Sequence, residues 1–241
     1  MDSIYTQKML FPASRCDASG FLGLTDVFYM FQDLATDHAK LLGFGADVLT
    51  PQGRFWISIA TRVKILDRPT FSEEVTLETW PHTPSGIRCL RDYRMLRGSE
   101  VMVLGRSQWG VFNRHTGRVD RPDTAFPMDL ACPDEITIDE PFLRIRDDGF
   151  GEPFASYTIR STDIDLNGHM NNVAYVRAFQ SLYSTEEWKR ADIRDMEVHY
   201  KNQCYEGEVL SFSEKTADGI RIVRAAVGDR TALYIALRQD A

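Results

Sequence analysis

The fold of this 241-residue chain is decided by one stretch, Asp163-Ile-Asp-Leu-Asn-Gly-His-Met-Asn-Asn172. Its Asn-Gly pair is a turn signal, and either asparagine at its end, Asn171 or Asn172, is a good N-cap. The apolar residues that follow recur at positions 173, 176 and 179, which predicts a helix with one buried face. The polar stretch should therefore lie where a buried helix begins.

The start of a helix favours chemistry, because its first backbone N–H groups have no acceptor within the helix. We expect the N–H groups near residues 170–172, together with the positive end of the helix dipole, to stabilise an oxyanion. Polar side chains without a function are costly to bury at such a position. The stretch is therefore predicted to be the chemical centre of the protein.

The composition is that of a globular protein, with 43% hydrophobic and 26% charged residues, so a sizeable core is expected. The formal net charge of -7 argues against a nucleic-acid partner, because binding to nucleic acid requires a basic face. No apolar run reaches about 20 residues, so no membrane span is predicted. The sequence leaves open whether the chain is a monomer or a homodimer.

The first eight residues start acidic and contain no apolar run, which predicts neither a secretory signal nor an organelle transit peptide. The four cysteines, at positions 16, 89, 132 and 204, form no C-x-x-C pair, which suits a reducing cytosol. The five histidines are equally dispersed and give no zinc pattern. We therefore expect a cytoplasmic protein that uses neither a metal ion nor another cofactor.

The first half of the chain combines one helical pattern with several strand patterns. Residues 24–42 are predicted to form a helix that Gly43 ends, because their apolar residues recur at helical spacing. Strand patterns bounded by Gly and Pro span residues 4–11, 54–65, 75–80, 87–96 and 101–112. One long helix and several antiparallel strands indicate an α+β unit whose sheet wraps around the helix.

Five of the ten prolines, at positions 122, 127, 133, 141 and 153, mark an acidic segment that resembles a linker laid over the surface. We therefore predict an N-terminal domain over residues 1–125, a linker over 126–152 and a C-terminal domain over 153–241.

The signals of the first half return after this segment. Asp17-x-x-Gly20 matches Asp165-x-x-Gly168, and Phe31-Gln32 matches Phe179-Gln180, both at a spacing of 148 residues. Two further matches follow in the same order at spacings down to 133, namely Glu74-Val75 with Glu208-Val209 and Gly86-Ile-Arg-x-x-Arg91 with Gly219-Ile-Arg-x-x-Arg224. The chain is therefore interpreted as a tandem duplication.

The two copies differ at the start of the helix. The first copy has Ser19 and Phe21 where the second has Asn167 and His169. Because the first copy keeps the scaffold signals without an Asn or a His, the fold does not require these two side chains. Chemistry is therefore assigned to the second copy, and the first is expected to shape a binding pocket.

The stretch from Asp163 to Tyr175 resembles the D-x-D-x-N-x-H-x-N-N-x-x-Y signature of the acyl-[acyl carrier protein] thioesterases of plant plastids and some bacteria. Weaker resemblances extend over the whole chain at Asp37-His38-Ala39, Trp56, Thr79-Trp80, Ser107-x-Trp109, Asn113 and Tyr200-Lys-Asn-Gln-Cys204. The resemblance implies a tandem double hotdog, in which two curved antiparallel sheets each wrap around a long helix. It also implies hydrolysis of the thioester of a fatty acyl-[acyl carrier protein], which releases free fatty acid in fatty acid biosynthesis.

The same resemblance implies catalytic roles for Asp165, Asn167 and His169. It also aligns Cys204 with a cysteine once considered catalytic in the family, although a single Cys in a β segment is usually a small core residue. The family's catalytic glutamate falls on Gln203, whose amide cannot act as a general base. Either the water is positioned differently here, or that glutamate is not essential.

Two assignments of the chemistry stay open. In the first, His169 is oriented by Asp165 and activates water or protonates the leaving thiolate, while Asn167 positions the carbonyl or the water. In the second, Asp165 is the direct base and His169 only binds the thioester. The nearby Glu206 and Glu208 could replace the missing glutamate, although they are better interpreted as solvated strand-edge residues.

The partner implied by the resemblance is an acyl carrier protein, which is strongly acidic, so this net-negative chain needs a locally basic docking face. Two groups of basic residues are candidates, Arg88, Arg91, Arg94 and Arg97 in the first half and Arg177, Lys189, Arg190 and Arg194 in the second.

Two other functions remain alternatives. An acyl-CoA thioesterase on the same fold would share the site, and the sequence does not separate it from a carrier-protein thioesterase. A non-catalytic acyl-binding hotdog protein is the alternative that Gln203 supports.

Overall fold

A computed structural model describes residues 3–238 of the chain. The chain divides into two compact units, of which the first ends at Glu140 and the second begins at Pro141. Within residues 3–238, no helix is both long and apolar enough to cross a lipid bilayer.

The first unit is an antiparallel sheet with a long helix packed on it. Its helices are α1 (Leu24–Leu41) and α2 (Ala46–Leu49), and its strands are β1 (Tyr5–Leu10), β2 (Arg54–Ile65), β3 (Glu74–Pro81), β4 (Cys89–Arg97), β5 (Glu100–Asn113) and β6 (Arg118–Asp120). The strands lie in the order β1-β3-β4-β5-β2, and β6 pairs with β5. The predicted helix and the five predicted strands are confirmed within two residues of their ends.

Helix α1 forms the centre of the first unit because it buries one broad apolar face against the sheet. Phe28, Phe31 and Leu34 are each no more than 3% exposed, and the helix packs on β3. The helix ends where predicted, since Gly43 adopts φ 78°, a left-handed conformation that glycine takes at little cost. The apolar spacing of the sequence therefore positions this helix.

The second unit repeats the topology of the first. Its helices are α3 (Asn172–Gln180) and α4 (Thr185–Ala191), and its strands are β7 (Ala155–Thr158), β8 (Asp195–Tyr200), β9 (Val209–Ala217), β10 (Ile220–Val227) and β11 (Arg230–Arg238). Its antiparallel strands lie in the order β7-β9-β10-β11-β8, which is the order of the first unit strand for strand. This correspondence supports the tandem duplication.

The central helix of the second unit is shorter than expected. Helix α3 has nine residues, against 18 in α1. A new helix starts after Ser184, whose hydroxyl accepts from the Glu187 N–H while the Glu187 carboxylate accepts from the Ser184 N–H. This capping box favours the start of a new helix at Thr185 over continuation of α3. Two short helices therefore stand where one long helix was expected.

The residues between β6 and β7 form no helix or strand apart from one 3₁₀ turn at Pro122–Thr124, yet part of the segment is fixed to the first sheet. Trp80 Nε1 donates to the Glu135 carbonyl at 2.9 Å, and Arg106 Nη1 donates to the Ile138 carbonyl at 2.8 Å. Thr137 Oγ1 donates to Asp92 Oδ1 at 2.8 Å. We name residues 135–138 the strap. The predicted boundaries of the two domains and the linker stay a prediction.

The strap covers a buried ion pair. Asp92 is fully buried and accepts from Arg106 Nε and Nη2, each at 2.9 Å, and it also bonds to His82 Nε2. Burial raises the pKa of Asp92, but the hydrogen bonds from His82 and Arg106 outweigh burial and hold that pKa below its usual value. The pair is therefore charged and satisfied.

We predict that Gly105→Ala destabilises the protein by about 1–3 kcal/mol, because the added methyl group would overlap the Phe31 ring. That ring stacks on Tyr93 with centroids 4.7 Å apart and cannot retreat from the sheet. The matched control is Gly110→Ala in the same strand, where the new Cβ would lie 3.3 Å from the flexible end of Ile59. Urea unfolding measures both, and equal losses of unfolding free energy would contradict the prediction.

Candidate active site

The turn before α3 is held by three hydrogen bonds that centre on Asp165. The Asp165 N–H donates to the His169 carbonyl and the Gly168 N–H donates to the Asp165 carbonyl, each at 3.0 Å. The Asn167 N–H donates to Asp165 Oδ1 at 2.8 Å. Gly168 has φ 80°, a left-handed conformation that favours glycine. The turn is therefore specified by Asp165 and Gly168.

The corresponding turn of the first unit has the same three hydrogen bonds. The Asp17 N–H donates to the Phe21 carbonyl at 2.7 Å, and the Gly20 N–H donates to the Asp17 carbonyl at 3.0 Å. The Ser19 N–H donates to Asp17 Oδ1 at 2.7 Å, and Gly20 has φ 82°. Since this turn forms without an Asn or a His, the three shared hydrogen bonds do not depend on the side chains of Asn167 and His169.

Helix α3 begins as the sequence predicts, but its oxyanion-binding capacity is smaller than expected. Asn171 is the N-cap, and its Oδ1 accepts from the Val173 N–H at 2.8 Å. The Met170 N–H donates to the Cys204 carbonyl and the Asn171 N–H to the Asp163 carbonyl, each at 2.8 Å. Two of the N–H groups of residues 170–172, which were expected to stabilise an oxyanion, are therefore already used within the fold. Of these three, Asn172 alone donates to no acceptor among residues 3–238.

His169 and Asp165 lie close together without a hydrogen bond between them. His169 Nδ1 is 4.0 Å from Asp165 Oδ1, which is beyond hydrogen-bond range but close enough for attraction to an imidazolium. The two side chains are 21% and 19% exposed, so a substrate or a water molecule can reach them. Asn167 is exposed at the tip of the turn. The structure therefore brings the three predicted residues together at one accessible turn.

Cys204 is linked to this turn through its backbone carbonyl. Its side chain is fully buried, and burial raises the pKa of the thiol. A thiol with a raised pKa forms little of the nucleophilic thiolate at neutral pH. The Tyr175 hydroxyl beside it is also buried. Among the described residues, no nitrogen or oxygen atom is its hydrogen-bond partner. Cys204 therefore has the properties of a core residue.

The carboxylates nearest in sequence to Gln203 are Glu206, which is exposed, and Glu208. The Gln203 side chain is exposed, and its Oε1 accepts from the Tyr205 hydroxyl at 3.4 Å. Glu208 is occupied, because its carboxylate pairs with Arg230 Nη2 at 2.6 Å and accepts from the Tyr205 N–H at 2.8 Å. Arg230 also donates to the Gln203 carbonyl. Arg230 thus fixes the segment 203–208, whose Cys204 carbonyl contacts the turn. Sequence reasoning did not identify Arg230, because it stands in no motif.

The first basic group predicted for docking is not a free basic surface. Arg91 is 5% exposed and lies inside the first unit, so its predicted docking role is wrong. Arg94 pairs with Glu78 and Glu135, and Arg97 pairs with Asp67, Glu73 and Glu100. In the second group, Arg177 and Arg194 pair with Asp163 and Asp192. Of the eight candidates, Arg88, Lys189 and Arg190 are exposed and make no ion pair with a described residue.

A metal centre finds no support in the described part of the chain, where no group of three or more His, Cys, Asp or Glu side chains is placed to hold an ion.

Models of one protein family match most of the chain. The N-terminal domain of acyl-ACP thioesterases matches residues 2–124, and their C-terminal domain matches residues 151–231. The oleoyl-acyl carrier protein thioesterase of Coriandrum sativum is 24% identical over 199 residues, which cover 75% of this chain and 54% of that protein. The chain thus spans about half the length of this curated relative.

Two solved structures share the fold over nearly their whole length. An acyl-ACP thioesterase from Bacteroides thetaiotaomicron matches with a TM-score of 0.83 at 22% identity, over 98% of this chain and 97% of that chain. A 12:0-ACP thioesterase from Umbellularia californica matches with a TM-score of 0.79 at 17% identity, over 99% and 97%. These likenesses confirm the predicted hotdog fold.

Asp163 links the turn to α3 and makes the site sensitive to acid. It is 1% exposed, and it accepts from the Arg160 N–H, the Tyr157 hydroxyl and Arg177 Nη2 at 2.9, 2.9 and 2.7 Å. Burial raises the pKa of Asp163, but these three donors outweigh burial and lower that pKa below its usual value. The carboxylate therefore stabilises the fold only while it is ionised.

We predict that this stabilisation is lost as the pH falls below about 4. The pKa of Asp163 is lower in the folded than in the unfolded protein, so its contribution is complete above the unfolded pKa and disappears as the pH falls through the folded pKa. Asp163→Asn should lose about 1–2 kcal/mol at neutral pH and should show a flatter acid limb. The control is the exposed Asp229→Asn. Unfolding free energy between pH 7 and pH 2 measures the effect, and parallel acid limbs in Asp163→Asn and wild type would refute it.

Proposed function

The chain belongs to the acyl-ACP thioesterase family, and on that premise we propose that it hydrolyses the thioester of a fatty acyl-[acyl carrier protein] and releases the free fatty acid. One observation carries the proposal. Two copies of the same turn have the same hydrogen bonds, and only the second copy carries Asn167 and His169. Side chains that the turn does not need, at an accessible helix start, are available for catalysis.

In the proposed reaction, His169 takes a proton from water while the water oxygen bonds to the thioester carbon. Asp165, 4.0 Å from the imidazole, stabilises the imidazolium that forms. The Asn172 N–H donates to the developing oxyanion, and the Asn167 carboxamide positions the carbonyl or the water. The C–S bond then breaks, and the carrier's thiolate receives the proton from His169.

Cys204 has no chemical step in this scheme. Its buried thiol and raised pKa disfavour a covalent acyl-enzyme. Gln203 can orient water through its amide, but it cannot take the proton. The N-terminal unit keeps the scaffold without the Asn and His, and we propose that it holds the acyl chain.

A non-catalytic acyl-binding protein is the second candidate, because Gln203 replaces the family's general base and Asp165 does not hydrogen-bond His169. The two candidates differ in whether free thiol is released from the acyl carrier. An acyl-CoA substrate is distinguished by comparing the same acyl chain on CoA and on carrier protein.

We predict that the wild type releases free thiol from acyl carrier proteins in a panel of increasing chain length. His169→Ala should lower kcat/KM by about 10²–10⁴-fold, since it removes the proposed acid and base. Cys204→Ala should stay within a few-fold of wild type. Release of no thiol from any carrier-bound chain would establish the non-catalytic candidate.

Asp165→Asn separates the two assignments of the base, because an amide cannot take a proton. Its oxygen can still accept from the Asn167 N–H, so the turn should be kept. Its matched control is Asp17→Asn in the corresponding turn of the first unit. A loss in Asp165→Asn larger than that in His169→Ala would transfer the role of base from His169 to Asp165.

Docking is proposed to use Lys189 and Arg190, which are exposed and adjacent on α4. Reversing both to Glu should raise KM for a carrier-bound substrate about threefold or more at low salt and leave a small acyl thioester unaffected, because the carrier is acidic. The control is Lys8→Glu, an exposed lysine in the first unit. An equal change of KM for both substrates would eliminate this surface.

A further inference from the structure

Arg91 is a buried cation with no buried anion beside it. It is 5% exposed and forms no ion pair with a carboxylate in the described part of the chain. Its neighbour in sequence, Asp92, engages Arg106 and His82, since successive side chains of a strand point to opposite faces. Removing a charge from most of its water without a counter-ion is costly, so this position favours a function over stability.

The ionisable groups near Arg91 do not supply the missing negative charge. They are Tyr93, Cys89 and Cys132. Burial raises the pKa of each of them, in the case of Cys89 to about 12. All three are therefore neutral at physiological pH. The carbonyls at the C-terminal end of α1 contribute only a partial negative charge.

The hydrogen bonds of Arg91 leave one edge of the guanidinium unused. Its Nη1 donates to His38 Nδ1 at 3.1 Å and to Thr79 Oγ1 at 3.2 Å. Because arginine has no acceptor atom, His38 Nδ1 must be unprotonated in this contact, so a neutral His38 adds no second charge. The other nitrogens, Nε and Nη2, donate to no protein partner among residues 3–238, and neither is fully enclosed, so a ligand or water can reach this edge.

The Nε–Nη2 edge is the face of arginine that binds a carboxylate through two parallel hydrogen bonds. A single carboxylate also matches the single charge of Arg91, whereas a phosphate dianion would be left half neutralised. The cluster has apolar neighbours, since it lies between α1 and the sheet, where Phe31 stacks on Tyr93. His38 lies on the same face of α1, two turns after Phe31, and stacks on Tyr5.

We propose that Arg91, held by His38 and Thr79, is a binding site inside the first unit for the carboxylate of an aliphatic chain. The carboxylate follows from the guanidinium, and the aliphatic chain rests on the proposed function. Two sources carry this chemistry: the free fatty acid product and an acyl thioester with a second carboxylate at its far end.

The first test is calorimetric binding of dodecanoate and dodecan-1-ol to the full-length wild type and to His169→Ala. Dodecanoate should bind at least about tenfold more tightly than the alcohol, and equally to both proteins, so the result does not depend on hydrolysis. Arg91→Lys keeps the charge but loses the two-pronged edge, and it should weaken dodecanoate binding about tenfold. Equal affinity for the acid and the alcohol would overturn the proposal.

Arg106→Lys is the matched control, because it changes a buried arginine of the same sheet that is already satisfied by Asp92. It should leave dodecanoate binding unchanged, and a tenfold loss in this control as well would overturn the assignment to Arg91. If Arg91→Lys does not fold, dodecanoate labelled with ¹³C at the carboxyl carbon tests the wild type. Its bound carboxyl should titrate at a lower pH than the free acid, since a guanidinium favours the ionised form. An unchanged or higher midpoint contradicts the site.

The two sources are separated by kinetics with N-acetylcysteamine thioesters of dodecanoate and of dodecanedioate. If the site takes the far carboxylate of a substrate, Arg91→Lys should lower kcat/KM for the dodecanedioyl thioester about tenfold and spare the dodecanoyl one. If it takes the product, dodecanoate should inhibit the wild type and inhibit Arg91→Lys about tenfold less well. Neither effect, in an enzyme that hydrolyses both thioesters, would overturn the proposal and leave the proposed function intact.

Discussion

The turn that precedes each central helix, at residues 17–21 and 165–169, sets where that helix begins, and both units depend on it. Three hydrogen bonds fix it, and all of them end on backbone atoms or on the aspartate carboxylate. A left-handed glycine closes the turn in both copies. The side chains at positions 19 and 21 of the first unit, and at 167 and 169 of the second, take no part in these three hydrogen bonds. In one unit these positions hold a serine and a phenylalanine, and in the other an asparagine and a histidine whose polar groups face an accessible surface.

Three buried carboxylates of the described chain have charged hydrogen-bond donors, whereas the buried Arg91 has no carboxylate partner. Asp92, Asp163 and Glu197 are at most 1% exposed, and each is surrounded by donors that hold its pKa low against the effect of burial. Glu197 pairs with Arg238 at 2.7 Å and with His199 at 2.6 Å. Arg91 is 5% exposed, yet its partners are a neutral histidine and a hydroxyl. A buried charge with a polar but uncharged shell is better suited to a ligand than to the stability of the fold.

Periodicity predicted the first unit well, because each of its elements buries one continuous face. Helix α1 and strand β2 were recovered within one residue from apolar spacing alone. The division of the second helix was not recovered, since the capping box at Ser184 competes with a helical pattern that continues through it. At the site, Asp165, Asn167 and His169 could be found from spacing and from the unequal copies. The occupied N–H groups of Met170 and Asn171 could not, because their acceptors, at Cys204 and Asp163, are defined only by the fold. Arg91 was misplaced for a related reason: a charged residue on a strand gives no sign of which face is covered.

The strap changes what counts as a separable piece of this protein. A chain cut after residue 125 would keep every strand and helix of the first unit, but it would lose the carbonyls that Trp80 and Arg106 use and the hydroxyl that Asp92 accepts from. Such a fragment would also lose the buried side chain of Ile138, and we expect it to have a lower free energy of unfolding than the unit that includes the strap. The smallest fragment suited to recombinant production therefore extends through Glu140, fifteen residues beyond such a cut.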